Sequence, residues 1–184
     1  MLDNKLGINF STDLALVEER ISKKKAVMLF DEHIIHNKKC GKFSTLQIIH
    51  KYLFEDIYRF APIIYIEEAL KNIDQMPQSN FDEIIEKYVE MNVAHPFREG
   101  NGRSTRIWLD HILKNEIGKV IDWSKVDKED YLLAMERSPI KDIEIKYLLK
   151  NALTDEIYSR DVYMKGIDHS YYYEGYITFK AEEL

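Results

Sequence analysis

Twelve consecutive residues, His95-Pro96-Phe97-Arg98-Glu99-Gly100-Asn101-Gly102-Arg103-Ser104-Thr105-Arg106, hold a titratable base, a carboxylate, a Gly-Asn-Gly turn and two arginines three positions apart. Handling a nucleoside triphosphate calls for such a set: a base for the nucleophile, a hard oxygen ligand for a divalent cation, and a cradle for phosphate oxygens. Glycines let successive backbone N–H groups converge on one anion. A helix starting just beyond them aims its positive end at the same point. On that helix Arg103 and Arg106 lie one turn apart and project from one face as charged forks. An imidazole with an ordinary pKa of about 6.5 can take a proton from a hydroxyl at neutral pH.

The apolar spacing that must position this segment is helical nearly throughout. Ser11-Thr12 reads as the cap of a helix through Leu14, Leu16, Val17 and Ile21, and a second apolar stretch runs from Ala26 to Ile35. Phe43-Ser44 opens a helix carrying Leu46, Ile49, His50, Leu53, Phe54 and Ile57, closed by Pro62. Ser79-Asn80 caps the next, whose face is Ile84, Ile85, Tyr88, Val89 and Val93, and which delivers His95 from its end. Beyond the glycines, Ser104 to Lys119 reads as a helix burying Ile107, Trp108, His111 and Ile112. Asp127 begins another with Tyr131, Leu132 and Met135, stopped at Ser138-Pro139. Asp142 to about Arg160 reads as one long amphipathic stretch, followed by a short helical tail around Ser170. The extended-looking run Ile63 to Ile66 is too short to carry a sheet. The expected class is all-α, with a helix–loop–helix at the centre of the site.

A chain of 184 residues suits one compact domain, 1–184, long enough to bury a real core. A net charge of −6 argues against direct nucleic-acid binding, whose footprint is basic. No stretch approaches the roughly 20 apolar residues of a membrane span. Met1-Leu2-Asp3-Asn4-Lys5 lacks the layout of a signal peptide, and Cys40 is alone, so no internal disulfide forms. A cytoplasmic protein is expected. Asp31, His33, His36 and Cys40 are spaced more loosely than the paired ligands of zinc sites and are not read as one.

Residues 95–106 resemble the signature of the Fic (filamentation induced by cAMP) family, H-x-F-x-[D/E]-G-N-G-R-x-x-R, and match it at every specified position. The run from His50 to Ala61, H-K-Y-L-F-E-D-I-Y-R-F-A, is similar to the family's upstream helix. There Pro62 stands where glycine is usual, and Tyr65 where an arginine follows. Fic enzymes usually carry a longer β-hairpin flap at this point that docks the target chain, and Ile63 to Ile66 would be its remnant. Ser170-Tyr171-Tyr172-Tyr173-Glu174-Gly175 resembles the family's inhibitory helix, [S/T]-x-x-x-E-[G/N]. That places the chain beside the single-domain class III proteins: a core of about 43–160 and a tail, 161–184, with the inhibitory helix near 168–175.

The resemblance implies a bacterial protein adenylyltransferase that uses ATP with Mg²⁺ or Mn²⁺ and moves AMP onto a Tyr, Thr or Ser hydroxyl of a target protein. It implies His95 as the base and Glu99 as the metal ligand. The N–H groups of Gly100, Asn101 and Gly102 would hold the α-phosphate, and Arg103 and Arg106 the outer phosphates. Ser170, Glu174 and Gly175 would form the inhibitory element, with Glu174 paired to Arg106. The cluster Tyr171 to Tyr173 reads first as packing and second as a place for self-modification, and a homo-oligomer stays open. Two alternatives stand beside this reading. One is a Fic-fold kinase of the Doc type, in which the γ-phosphate moves; the intact Gly-Asn-Gly disfavours it. The other is a nucleotide-binding regulatory module with impaired target docking.

Overall fold

The computed structural model describes residues 3–59 and 67–184, and among them it is helical almost throughout. Eight α-helices follow one another: α1 (Ser11–Asp31), α2 (Phe43–Phe54), α3 (Glu67–Gln75), α4 (Phe81–Ala94), α5 (Asn101–Ile117), α6 (Lys128–Arg137), α7 (Ile143–Asn151) and α8 (Arg160–Tyr173). Two short strands, β1 (Val120–Ile121) and β2 (Leu153–Thr154), pair antiparallel and tie the end of α5 to the end of α7. The fold class is all-α. The postulated flap remnant, Ile63 to Ile66, lies outside the described residues.

Helix α5 is the axis. It packs against α2, α4 and α8, while α1 closes the outside against α2 and α8. Arg103 to Leu109 is buried on every face, as is Ile112 with Leu113. A helix enclosed on all sides loses the simple amphipathic stripe, so polar residues at its N-terminal end must find partners inside. The preceding helix is well specified locally. Asn80 caps α4 by accepting from the N–H of Glu83, and the Glu83 carboxylate reaches back to the N–H of Ser79. Ile84, Ile85, Tyr88 and Val89 seat α4 on the core.

Several boundaries differ from the sequence expectation. The first apolar stretch and most of the second form one 21-residue helix ending at Asp31, in which Glu18, Glu19 and Lys23 are buried rather than solvated, while Ile34 and Ile35 fall beyond its end. Val93, expected on the apolar face of α4, is 54% exposed at the helix end. Helix α2 ends at Phe54, short of Ile57, which is nonetheless fully buried. Helix α5 starts at Asn101 rather than Ser104, so two of the three turn residues belong to its first turn. The stretch Asp142 to Arg160 is not one helix: α7 stops at Asn151, and β2 with a turn intervenes. Helix α8 is a 14-residue element capped by Ser159 rather than a short tail around Ser170.

Candidate active site

The loop between α4 and α5 is shaped by two residues with positive φ. His95 terminates α4 in the left-handed region, φ 46 and ψ 59, its N–H still bonded to the carbonyl of Met91. A non-glycine residue there costs of the order of 1–3 kcal/mol and persists only where the surroundings over-determine it. Here they do. The side-chain amide of Asn101 accepts from the N–H of Phe97 at 2.8 Å and donates to its carbonyl at 2.6 Å. The His50 ring stacks on Phe97, centroids 3.7 Å apart and planes 11° from parallel. His50 Nε2–H donates to the carbonyl of Glu99 at 2.9 Å. Burial, with the Arg103 charge adding to it, lowers the His50 pKa to about 4, so its ring is neutral at physiological pH. Gly100 caps α5 at φ 72, and a Cβ there would come within 2.3 Å of the Phe54 ring. His95 itself is exposed.

The first turn of α5 follows directly from this loop. By helix geometry its leading N–H groups lack intrahelical carbonyl partners, and the helix dipole adds positive potential. The N–H of Gly100 is engaged by the Glu99 carboxylate, Oε1 at 3.1 Å. The N–H groups of the first turn without such a partner among the described residues are those of Asn101, Gly102 and Arg103. Glu99 Oε1 also lies 3.2 Å from Arg103 Nη2, and its side chain is 42% exposed. One accessible carboxylate beside an anion-binding helix end suits Mg²⁺, which is often held by a carboxylate together with substrate phosphates. Among the described residues no three His, Cys, Asp or Glu side chains converge as a self-sufficient metal cage.

Both arginines are buried. Arg103 is fully enclosed, its guanidinium 4.7–5.3 Å from the ring centroids of Phe54, Tyr171 and Tyr176. Three carboxylates surround it: Glu18 at 2.8 Å, Glu99 at 3.2 Å and Glu174 at 2.7 Å. The Nε and Nη1 hydrogens of Arg103 are not aimed at an acceptor, so the Glu18 and Glu174 contacts are close charge pairs without aligned hydrogen bonds. Arg106 donates from Nε to Ser170 Oγ at 2.7 Å, and from Nη2 to the Ser170 carbonyl at 2.9 Å and to Glu174 Oε1 at 2.7 Å. Burial disfavours both charges. Glu174 and the neighbouring carboxylate and phenol oxygens outweigh it, and both pKa values end above the ordinary arginine value.

Glu174, the C-cap of α8, thus bridges both arginines rather than Arg106 alone. A Cβ added to Gly102 would meet Glu174 Oε1 at 2.5 Å, so the carboxylate lies against the backbone of the α5 N-terminus. Gly175 at φ 90 turns the chain back. Tyr176 then bonds Glu18 Oε1 at 3.0 Å, and the N–H groups of Thr178 and Phe179 bond the buried Glu19 carboxylate at 3.0–3.1 Å. Lys23 adds a 2.6 Å bond to the Phe179 carbonyl and pairs with Asp168. Within the tyrosine cluster, Tyr171 and Tyr173 are buried with their hydroxyls bonded to Ser22 and to the carbonyls of Trp123 and Val126, while Tyr172 is 46% exposed.

The structure therefore brings Glu99, Gly100, Asn101, Gly102, Arg103, Arg106, Ser170 and Glu174 to one helix end, with Gly175 following Glu174 and His95 exposed at the end of α4. Sequence reasoning missed His50, Glu18 and Glu19 as partners of this site. The faint signals were an i, i+4 aromatic pair, His50 and Phe54, and adjacent acids followed by Lys23 in the register of α1.

With this geometry in hand, the similarity to known proteins is informative. A sequence profile of the Fic/DOC family matches residues 40–113, which span α2 to most of α5. The chain belongs to this family. It is 30% identical over 158 residues to the protein adenylyltransferase VbhT of Bartonella schoenbuchensis, covering 69% of this chain and 31% of that protein. It is 29% identical over 124 residues to the probable protein adenylyltransferase y4lH of Sinorhizobium fredii, covering 52% and 64% respectively. The chain thus spans under two thirds of either relative. In fold, this Fic protein is similar to BepC of Bartonella tribocorum, solved with AMPPNP: TM-score 0.66, 18% identity, 84% of this chain and 92% of that one. The ADP-bound N-terminal Fic domain of a Bartonella quintana protein gives 0.66 at 21% identity, with 84% and 91% coverage.

Proposed function

We propose that this Fic protein is a metal-dependent protein adenylyltransferase held off by its own C-terminal segment. The observation that carries this reading is the convergence of Glu99, the α5 N-terminus and both arginines, with Glu174 paired to both guanidinium groups. The adenylyltransferase names of VbhT and y4lH support it, as do the nucleotides bound by the two Bartonella neighbours.

In this reading a target hydroxyl oxygen attacks the α-phosphorus of ATP. His95 takes the hydroxyl proton, the bond to the β-phosphate oxygen breaks, and pyrophosphate leaves while AMP remains on the target. The N–H groups of the α5 first turn stabilise the charge that builds on the α-phosphate oxygens. Arg103 and Arg106 hold the outer phosphates by charge-assisted bonds. Glu99 would hold the Mg²⁺, which supplies neutralisation of phosphate charge. The Glu99 side chain is 42% exposed and would offer the cation a carboxylate oxygen from beside the Gly100 N–H. Inhibition follows because Glu174 already occupies both guanidinium groups.

The test is transfer by a Glu174→Gly variant given ATP labelled at the α or the γ position together with candidate target proteins. Label retained on protein from α-ATP alone supports the reading. Label from γ-ATP would identify a kinase, and binding without either label a regulatory module.

A further inference from the structure

Helix α2 presents His50 and Phe54, four positions apart, as a bed for the loop between α4 and α5. Phe54 lies beneath Gly100 too closely to admit a Cβ, with the Arg103 guanidinium 4.8 Å from its centroid. His50 lies beneath Phe97 and donates to the carbonyl of Glu99. A carbonyl oxygen accepts and never donates, so this bond requires the hydrogen on Nε2. The carbonyl belongs to the peptide joining Glu99 to Gly100, whose far side carries the N–H that the Glu99 carboxylate caps. Fixing that one peptide plane sets two directions together: that of the Glu99 side chain, and that of the left-handed turn from which α5 departs. Asn101 already clamps Phe97 at both its N–H and its carbonyl. The ring stack therefore repeats a restraint that exists, whereas the bond to Glu99 adds one. A phenylalanine at position 50 would supply the stack and not the bond.

We propose that His50 is a positioning residue for the reacting site: it holds the Glu99–Gly100 peptide plane so that the Glu99 carboxylate and the first-turn N–H groups of α5 address one nucleotide. This rests on the reading of that helix end as a metal–nucleotide site. Side chains that orient a metal ligand typically change metal affinity or activity by about 10- to 100-fold when lost. The arrangement here differs from that case only in acting through the backbone carbonyl of Glu99.

The experiment compares Glu174→Gly with the same variant carrying His50→Phe or His50→Gln, the latter retaining a donor near the Nε2 position. Mn²⁺ binding in the presence of AMP-PNP is measured by calorimetry, amide hydrogen exchange over residues 97–102 without ligand, and kcat and KM for ATP with labelled substrate. His50→Phe is expected to weaken Mn²⁺ binding and to speed exchange across Glu99 to Asn101, each by about tenfold or more, with kcat falling more than KM rises. His50→Gln is expected to recover a large part of each. A His50→Phe protein whose metal binding and exchange overlay those of its parent overturns the proposal. So does a loss that His50→Gln fails to recover. Should the phenylalanine variant not fold, near-parent exchange in His50→Gln supports the proposal and fast exchange overturns it. If the parent binds Mn²⁺ and AMP-PNP yet transfers nothing, the adenylyltransferase reading fails while metal binding and exchange still decide the role of His50.

Discussion

Replacing Glu174 with glycine removes one carboxylate from two buried guanidinium groups, and the size of the response follows from the geometry. The Arg106 Nη2–H to Glu174 Oε1 bond, 2.7 Å long, is aligned and charge-assisted, and such bonds contribute about 1.5–3 kcal/mol. The Arg103 contact is equally short but has no hydrogen directed along it, so it adds less. The Glu174 side chain is 25% exposed, which weakens both. A net bias of about 2–3 kcal/mol toward the closed tail corresponds to between about 30- and 150-fold in the closed-to-open ratio. Transfer from α-labelled ATP should rise by that factor. Glu174→Gln, which keeps the shape and one neutral bond, should give a smaller rise, of about fivefold to tenfold. There is a second signature. Without Glu174, Arg106 is left buried beside Ser170 and tyrosines, which is destabilising. The glycine variant should therefore melt below its parent in buffer and gain more from added Mg-ATP, whose phosphates take the place of the carboxylate. Unchanged transfer by a folded Glu174→Gly protein, or equal thermal gains from nucleotide in both proteins, would refute the reasoning.

Four further outcomes are expected. His95→Ala in the Glu174→Gly background should lower transfer by about 10²–10⁴-fold while AMP-PNP affinity is retained, since a proton acceptor is lost and not a phosphate contact. Glu99→Gln should shift the Mg²⁺ titration of transfer to higher concentration, and overlapping titrations would place the cation elsewhere. Gly100→Ala combines a φ of 72 with a 2.3 Å approach to Phe54, so it should cost about 2 kcal/mol or more in a urea melt. Burial raises the Asp110 carboxyl to about 7 against the bonds it accepts from Ile121 N–H and the Trp123 indole. This folded value lies above the unfolded value of about 3.9, so its stabilising effect is complete below about pH 4 and is lost as pH rises through about 7. The Asp110→Asn protein should show a flatter decline of melting temperature between about pH 4 and 7, and an unchanged slope would exclude Asp110 as its source.

The parts of the site legible in the sequence were those specified by neighbours in the chain. The loop from His95 to Arg106 shows itself because glycine, asparagine and arginine at those spacings have few other common uses, and Asn80 with Glu83 announces α4. The class of fold followed from apolar periodicity, although α5 broke that pattern by being buried on every side. What stayed hidden depends on contacts far apart in sequence. Glu18, Glu19 and Lys23 look like a solvated helix face, yet their partners lie at Arg103, Asp168 and 176–179. No local rule signals a buried carboxylate whose counterion lies 85 residues away. The β1–β2 ribbon escaped because two residues per strand carry no period. The bond from His50 to Glu99 escaped because a histidine on an apolar face reads as ordinary core.

The grip of Glu19 on the C-terminal segment has a consequence for how that segment can vary. Glu19 holds the main-chain N–H groups of Thr178 and Phe179 and no side chain of theirs, while Ile177 between the turn and the grip is 72% exposed. The helix α1 therefore acts as a ruler for the three residues between Glu174 and position 178: Gly175 makes the turn and Tyr176 reaches Glu18, while the identity of Ile177 is left open. A substitution at Ile177 leaves the spacing intact, whereas gain or loss of a single residue puts either the carboxylate or the two amides out of reach. Chain length, as much as side-chain chemistry, is the quantity that such a contact fixes.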